Sequence, residues 1–300
     1  MGFYIDRTKN MLGELDDMAQ NSIVLMDSMA LIRAPVYLDD LVMSKNKRVD
    51  LRRKNLKGGG YSSISRSRLH IFGHYLTMEG ATANVTTSIG DHIMQMHNDF
   101  YKHLNDLAGH GKLVIPVNIR DLCFNLTEDE IKDLVSYGSD FSQHVDAMVN
   151  RILTNQANNI RSLMKTAEET DPNMWNDIAF KCFAEYFTRG AQDARTDRAS
   201  KGIETPARMN PLFLAYAFTL AHRSGTASVV TAELSTRDMT IKSIANQREV
   251  FNRIKYDLSA SFAVELFFLN KYVDEKRNPV TRLLHTDFDN ASKVLRYKKV

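Results

Sequence analysis

The chain has 300 residues, of which 43% are hydrophobic and 25% charged, and its formal net charge is +3. These values are typical of soluble globular proteins and exclude a chain that is disordered throughout. Six prolines and fourteen glycines are few for this length, which argues against a loop-rich all-β protein.

The two cysteines, Cys123 and Cys182, lie in apolar stretches. We therefore expect both to be buried, and no disulfide to form between them. No apolar run reaches the roughly 18 to 20 residues that span a bilayer, and the N-terminus lacks the apolar core of a secretory signal. The sequence thus predicts a soluble protein without membrane insertion, in a reducing cytoplasmic compartment or in a virion.

The first predicted element is a helix that ends at Pro35, because proline pushes the residue before it out of the α region. Its apolar stripe follows helical spacing, with Ser22 as the one polar member. The stripe consists of Met11, Leu15, Met18, Leu25, Met29 and Ile32.

A strongly basic segment, Ser44 to Arg68, follows this helix. It carries nine lysines and arginines against one acid, Asp50, so its local excess of eight exceeds the net charge of the whole chain. Gly58, Gly59 and Gly60 indicate a loop within it.

Helical patterns dominate the middle of the chain. We predict a helix over 87–107 that ends at Gly109 or Gly111, a short strand over 113–117, and a helix opened by a capping box from Thr127 to Glu130. The apolar stripe from Phe141 to Leu163 and the stretch from Pro172 to Phe187 predict two more helices.

The last third of the chain also reads as helical. Residues 191–210 are polar and predict a linker, and a short apolar helix follows from Pro211 to the break at Ser224. Two further helices are predicted to about residue 274, the second with Phe262, Leu266 and Leu269 on its stripe. A final amphipathic helix and a basic tail are predicted after Pro279.

These patterns predict an all-α or nearly all-α fold with many helices, arranged as up to two helical lobes with minor β content. Because strands do not alternate with helices in the pattern, a doubly wound α/β sheet is not expected. We divide the chain into an N-terminal helical region, 1–112, that carries the basic glycine-rich loop, and a C-terminal helical region, 113–300.

Sequence motifs for phosphate loops and metal sites are incomplete. The run Gly109-His110-Gly111-Lys112 lacks the serine or threonine of a P-loop and is better explained as a helix C-cap, and the glycine pattern of dinucleotide-binding folds is absent.

Six of nine histidines fall between His70 and His110. His70 and His74 share a helical face, but no complete ligand set surrounds them, so we predict neither a metal nor a cofactor.

The basic segment is the main candidate for function. Arginine suits phosphate oxygens, an aromatic ring can stack on a base, and serine hydroxyls contact phosphates. The predicted nucleic-acid contacts are Lys45, Lys47, Arg48, Arg52, Arg53, Lys54, Lys57, Tyr61, Arg66 and Arg68. An acidic protein partner, or no specific partner, are the other interpretations.

A weaker anion site is predicted at Arg223, Ser224 and Thr226, on the expectation that a helix starts there and offers free amides to phosphate. The alternative is that Ser224 or Thr226 only caps that helix.

The function we predict is non-catalytic. It is that of a helical structural or assembly protein, nucleocapsid-like or active in virion assembly, that oligomerises and contacts nucleic acid or an acidic surface through the basic segment. One alternative is an enzyme whose scattered helical site uses histidines in 70–110, and another is a protein–protein adaptor without nucleic-acid contact.

Overall fold

The computed structural model of the chain describes residues 2–27, 30–31, 80, 82–116, 143–166, 168–169, 173–202, 211–231, 234–245, 260–269 and 280–300. Within these ranges helices and strands alternate. The helices are α1 (Gly2–Asn21), α2 (Ala83–Gly109), α3 (Gln143–Thr166), α4 (Ile178–Ser200), α5 (Pro211–Ser224) and α6 (Leu234–Ala245), with a short 3₁₀ turn at Met174–Asn176.

Seven strands of the described residues form one mixed sheet. They are β1 (Ile23–Met26), β2 (Leu113–Pro116), β3 (Glu168–Glu169), β4 (Thr226–Thr231), β5 (Phe262–Leu269), β6 (Val280–Asp289) and β7 (Val294–Lys299). The order across the sheet is β3-β2-β1-β4-β5-β6-β7. The first five strands are parallel to one another, and β6 and β7 form an antiparallel hairpin on the edge of β5.

The strand order makes this a doubly wound sheet. From β1 the chain proceeds outward to β2 and β3, then returns to β4 on the other side of β1 and continues to β5. Because crossovers between parallel strands are right-handed, the two directions place their helices on opposite faces of the sheet. In keeping with this, α2 packs on α1 and α3, whereas α4 packs on α5 and α6.

The hydrophobic core lies between the sheet and these helices. On the face covered by α5, aromatic rings from helices and strands form a cluster. The ring centroids of Phe187 in α4 and Phe218 in α5 are 4.7 Å apart. Those of Phe262 in β5 and Phe288 in β6 are 5.2 Å apart. A second, smaller cluster between α2 and α3 includes Ile93, Met148 and Ile152, all buried. At its centre Met148 packs directly on Gly90.

The expected all-α fold is wrong, and so is the expectation that no doubly wound sheet is present. The reason is that short parallel strands are buried on both faces and read as unbroken apolar runs, which periodicity cannot distinguish from a buried helix. Strand β1 has the sequence Ile-Val-Leu-Met and lies inside the predicted first helix, which ends at Asn21 instead. Strand β4 is buried from Ala227 to Thr231.

The C-terminal part of the chain differs most from the sequence-based expectation. Phe262, Leu266 and Leu269, assigned to a helical stripe, lie in β5, where a bulge between Leu266 and Phe267 breaks the strict two-residue alternation. The expected last helix and basic tail are the hairpin of β6 and β7. The predicted linker is also wrong as far as Ser200, because Ala191 and Ala194 are buried and α4 continues through it.

Other predicted elements are confirmed. The helix expected over 87–107 is α2, the apolar helix opened by Pro211 is α5, and the short strand after Lys112 is β2. The glycine run after α2 is a helix end, since Gly111 has φ +67° and the His110 amide bonds to Asp106 of the last turn. The capping box at Thr127 to Glu130 lies outside the described residues. The division at residue 112 stays a prediction, although strands from both sides of it pair in the one sheet.

Candidate functional site at the carboxyl ends of the parallel strands

The strand order reverses between β1 and β4. At this point the connections leaving the two strands diverge, one towards β2 and the other towards β5. Open α/β sheets bind their ligands in the crevice that this divergence creates, outside the carboxyl ends of the strands. The first residue after β1 is Asp27, which therefore lies at the position where a ligand is expected.

Asp27 connects the ends of both central strands. Its amide donates to the Val230 carbonyl of β4 at 3.1 Å, and its carbonyl accepts from the Leu31 amide at 3.0 Å. In its carboxylate, Oδ1 accepts from the Ala30 amide at 2.6 Å and Oδ2 accepts from the Thr231 hydroxyl. The side chain thus caps the helical turn after β1 and holds the end of β4 beside it.

The start of α6 completes the described part of the crevice. The hydroxyl oxygens of Thr231 and Thr236 lie 3.4 Å apart, and both residues are buried. Ser235, 3% exposed, has no hydrogen-bond partner for its hydroxyl among the described residues. The Asp27 carboxylate is therefore followed by a chain of hydroxyl groups, first Thr231 and then Thr236.

The charge at the crevice selects against a bare phosphate. Asp27 is half-buried and lies at the position where a pyrophosphate sits in glycine-rich dinucleotide sites. A phosphate placed directly beside it would be repelled. A metal cation or a hydroxyl donor of the ligand would instead be attracted, since a carboxylate is a strong acceptor and a preferred ligand of hard cations.

The ten predicted nucleic-acid contacts, from Lys45 to Arg68, lie outside the described residues. In the order of elements the segment belongs to the connection between β1 and β2, which leaves β1 at Asp27. The sequence-based prediction for these residues therefore stays a prediction.

The predicted anion site at Arg223, Ser224 and Thr226 lies at the end of a helix, because α5 ends at Ser224 and β4 starts at Thr226. Arg223 donates from Nε to Asp177 Oδ2 at 3.0 Å. The Ser224 hydroxyl donates to the Leu220 carbonyl and the Thr226 hydroxyl to the Asn21 carbonyl. The helix start on which the anion prediction depended is thus absent at this position.

The described histidines do not converge on one site. His92 is exposed, whereas His97 is fully buried. His103 pairs with Asp16 at 2.9 Å, and His110 donates to the Asp106 carbonyl at 2.7 Å. In the part of the chain that the structure describes, no three potential ligands among histidine, cysteine, aspartate and glutamate come together as a metal site. His70 and His74 lie outside it.

Cys182 is buried in α4, as the sequence predicts, and burial raises the pKa of its thiol to about 12. The thiol is therefore protonated at neutral pH and is a poor nucleophile. Cys123 lies outside the described residues.

Sequence reasoning missed Asp27 because the strand before it was assigned to a helix. One local signal was present: an apolar run of four residues followed at once by an acid, which is typical of a buried parallel strand that ends at a functional edge. In a segment interpreted as a continuous helix, this aspartate had no distinguishing position.

None of the helices in the described ranges is long and apolar enough to cross a membrane. In comparisons with known proteins, no protein-family model, no curated protein and no solved structure matches the chain.

Proposed function

We propose that this chain is an α/β nucleic-acid-binding protein that contacts the sugar–phosphate backbone through its basic segment, Ser44 to Arg68. The observation that supports the proposal best is the local excess of eight positive charges in this segment, which belongs to the connection that leaves β1 where the strand order reverses. We further propose an intracellular or virion location and an oligomeric assembly, on the sequence arguments above.

The basic segment supplies the attraction for nucleic acid. Its excess of eight positive charges contrasts with a remainder of the chain that is net negative, so the charge is local. Phosphate contacts of this kind raise affinity without reading sequence, and they weaken with salt because counterions are released on binding.

The first experiment measures how salt weakens binding to single-stranded RNA and DNA. Each neutralised phosphate contributes about 0.7 to the slope of log affinity against log salt, and we expect a slope of roughly 2 to 4. Replacing Arg48, Arg52 and Arg53 by glutamine should lower the slope by about 2. A control variant that replaces the exposed Arg195, Arg296 and Lys298 by glutamine should keep it. Equal slopes for the two variants would reject the basic segment as the binding surface.

The position of Asp27 at the end of β1 supports a second, catalytic function for the same protein. A divalent cation held by the carboxylate would remove its repulsion of a bound phosphate, polarise the phosphoryl oxygen and activate a water molecule. In such a hydrolysis the water oxygen would bond to phosphorus, the P–O bond to the sugar would break, and a proton of that water would pass to the leaving oxygen. Asp27 would position the cation, and the basic segment would hold the strand.

The second experiment incubates labelled RNA and DNA with the protein in Mg²⁺, in Mn²⁺ and in EDTA, and resolves the products on a denaturing gel. We expect cleavage that depends on the cation and falls about a hundredfold in Asp27→Asn. Asparagine still caps the helical turn, so this variant should fold. Asp17→Asn, at an exposed carboxylate of α1, is the control. Binding without cleavage in either metal would reject hydrolysis and leave the structural, assembly role.

A further inference from the structure

A polar groove lies between α2 and α3, away from the crevice residues described above. Its cavity volume is about 540 Å³, within the range of small-ligand sites. From α2 it is lined by Asp91, Gln95 and Asn98, and from α3 by Arg151, Asn155 and Asn158, with Met94 and Thr154 completing the wall. Four of these eight side chains are carboxamides.

Hydrogen bonds orient these carboxamides, within each helix and across the groove. Gln95 donates to Asp99 of α2 at 2.8 Å, and Asn158 accepts from Arg161 of α3 at 3.1 Å. Asn98 Oδ1 accepts from Asn155 Nδ2 at 2.9 Å and from Asn159 Nδ2 at 2.8 Å. Two turns before Asn98 on α2 and one turn before Asn155 on α3, Arg151 pairs with Asp91 at 3.0 Å across the same groove. The two helices are thus bridged at two points along an open groove.

The asparagines of α3 lower the stability of the helix in which they lie. The run Asn155-Gln156-Ala157-Asn158-Asn159 lies inside a helix of 24 residues. Asparagine is about 0.6 kcal/mol less favourable than alanine at such a position. Asn158 accepts from Arg161 of its own helix, and an exposed pair of this kind returns only about 0.2 to 0.5 kcal/mol. Departures from local preference without a compensating gain in stability are typical of functional sites.

The groove chemistry matches the edge of a nucleobase. Carboxamides offer a donor and an acceptor side by side, as the hydrogen-bonding edges of bases do, and asparagine and glutamine pair with bases in this way. The ion pair of Asp91 with Arg151 leaves the groove near neutral, which suits a base better than a phosphate. The Arg151 side chain, 58% exposed, has a planar guanidinium on which a base can stack.

We propose that this groove binds a nucleobase of a single-stranded nucleic acid. The proposal rests on the proposed nucleic-acid function and adds base selection to it, since contacts to phosphates carry no sequence information. The groove would read one base of the strand while the basic segment holds the backbone.

The test uses the full chain and a double variant, Asn155→Ala with Asn158→Ala. Because alanine is the better helix former, this variant should fold. Binding of the four RNA homopolymers is measured at one salt concentration. We expect the wild type to prefer one base about fivefold or more and the double variant to lose that preference with its salt slope unchanged. Asn21→Ala, at the end of α1, should keep the preference.

A second measurement separates this proposal from the proposed function. Side-chain amide NMR signals of Asn155 and Asn158 are followed on addition of the four nucleosides, which carry no phosphate. Shifts with a nucleoside would support the groove even if the homopolymers do not bind. The nucleobase proposal would be overturned if the double variant kept its homopolymer preference, or if no nucleoside shifted the two amide signals. It would also be overturned if triglycine, added instead of a nucleoside, shifted the same signals.

Discussion

At the scale of single residues, two glycines allow helices to approach closely. A Cβ atom on Gly190 of α4 would lie 1.8 Å from the Ser243 hydroxyl oxygen and 2.8 Å from the Met239 carbonyl oxygen of α6. Gly90 stands in the same relation to Met148, at 2.0 Å from its sulfur. In the first case backbone atoms form part of the obstacle, so the helix itself would have to move.

We predict that Gly190→Ala lowers the free energy of unfolding by about 2 kcal/mol or more, since overpacking a filled contact costs about 1 to 3 kcal/mol. Gly13→Ala in α1 is the matched control because no atom lies within 4 Å of its added Cβ. That change should raise stability by about 0.5 to 1 kcal/mol, as alanine is the better helix former. Urea unfolding measures both. A neutral Gly190→Ala would mean that α4 and α6 pack less closely than the structure indicates.

At the scale of elements, Asp177 joins the start of α4 to the end of α5. Its Oδ1 accepts from the Ala179 amide at 2.7 Å, which caps α4, and its Oδ2 accepts from Arg223 of α5. The carboxylate also lies near the positive end of the α4 dipole and the guanidinium near the negative end of α5. One side chain therefore stabilises two helix ends.

We predict that Asp177→Ala costs about 1 to 2 kcal/mol of stability because it removes the cap. Asp177→Asn retains a capping oxygen and loses only the ion pair, so its cost should stay below about 1 kcal/mol. Arg223→Gln should resemble Asp177→Asn, and thermal or urea unfolding of the three variants measures the difference. Equal losses for the alanine and asparagine variants would show that the ion pair, and not the cap, stabilises this junction.

At the scale of the whole molecule, β1 and β4 are the centre of the sheet. Both are buried, and each pairs with neighbours on two sides. The Val24 amide donates to the Lys112 carbonyl at 2.9 Å beside β2, and Asp27 donates to Val230 of β4. Opening either strand separates elements from both halves of the chain.

We predict that the amides of Val24, Leu25, Val229 and Val230 exchange with solvent only through global unfolding. Their exchange free energies in native-state hydrogen exchange should equal the stability measured by urea, with the same denaturant dependence. Amides in the first turn of α2, around Val85, should exchange at lower free energy because that turn is exposed. If the β1 amides exchanged as fast as those in the first turn of α2, β1 would not be one of the two central strands.

Much of the helical structure could be predicted from the sequence. Where apolar residues follow helical spacing and a proline or glycine ends the pattern, as in α2 and α5, local preference and tertiary packing agree and the helix forms as predicted. Cys182 was likewise correctly expected to be buried, because it lies in a mostly apolar stretch with Phe180 and Phe183 close to it in sequence. The charge of the basic segment needs no structure to be recognised.

The sheet and the crevice, by contrast, were decided by tertiary structure. Val24 pairs with Ser228 and Leu25 with Val229, and Ser22 bonds Ser228 at 2.6 Å across some two hundred residues of sequence. No window of sequence contains such a pairing, and a strand of four apolar residues is too short to show a period of its own. Asp27 became a candidate functional residue only when the strand order placed it where the connections diverge. Periodic burial is a local property of the chain, whereas the position of a site at a sheet edge depends on which strands become neighbours.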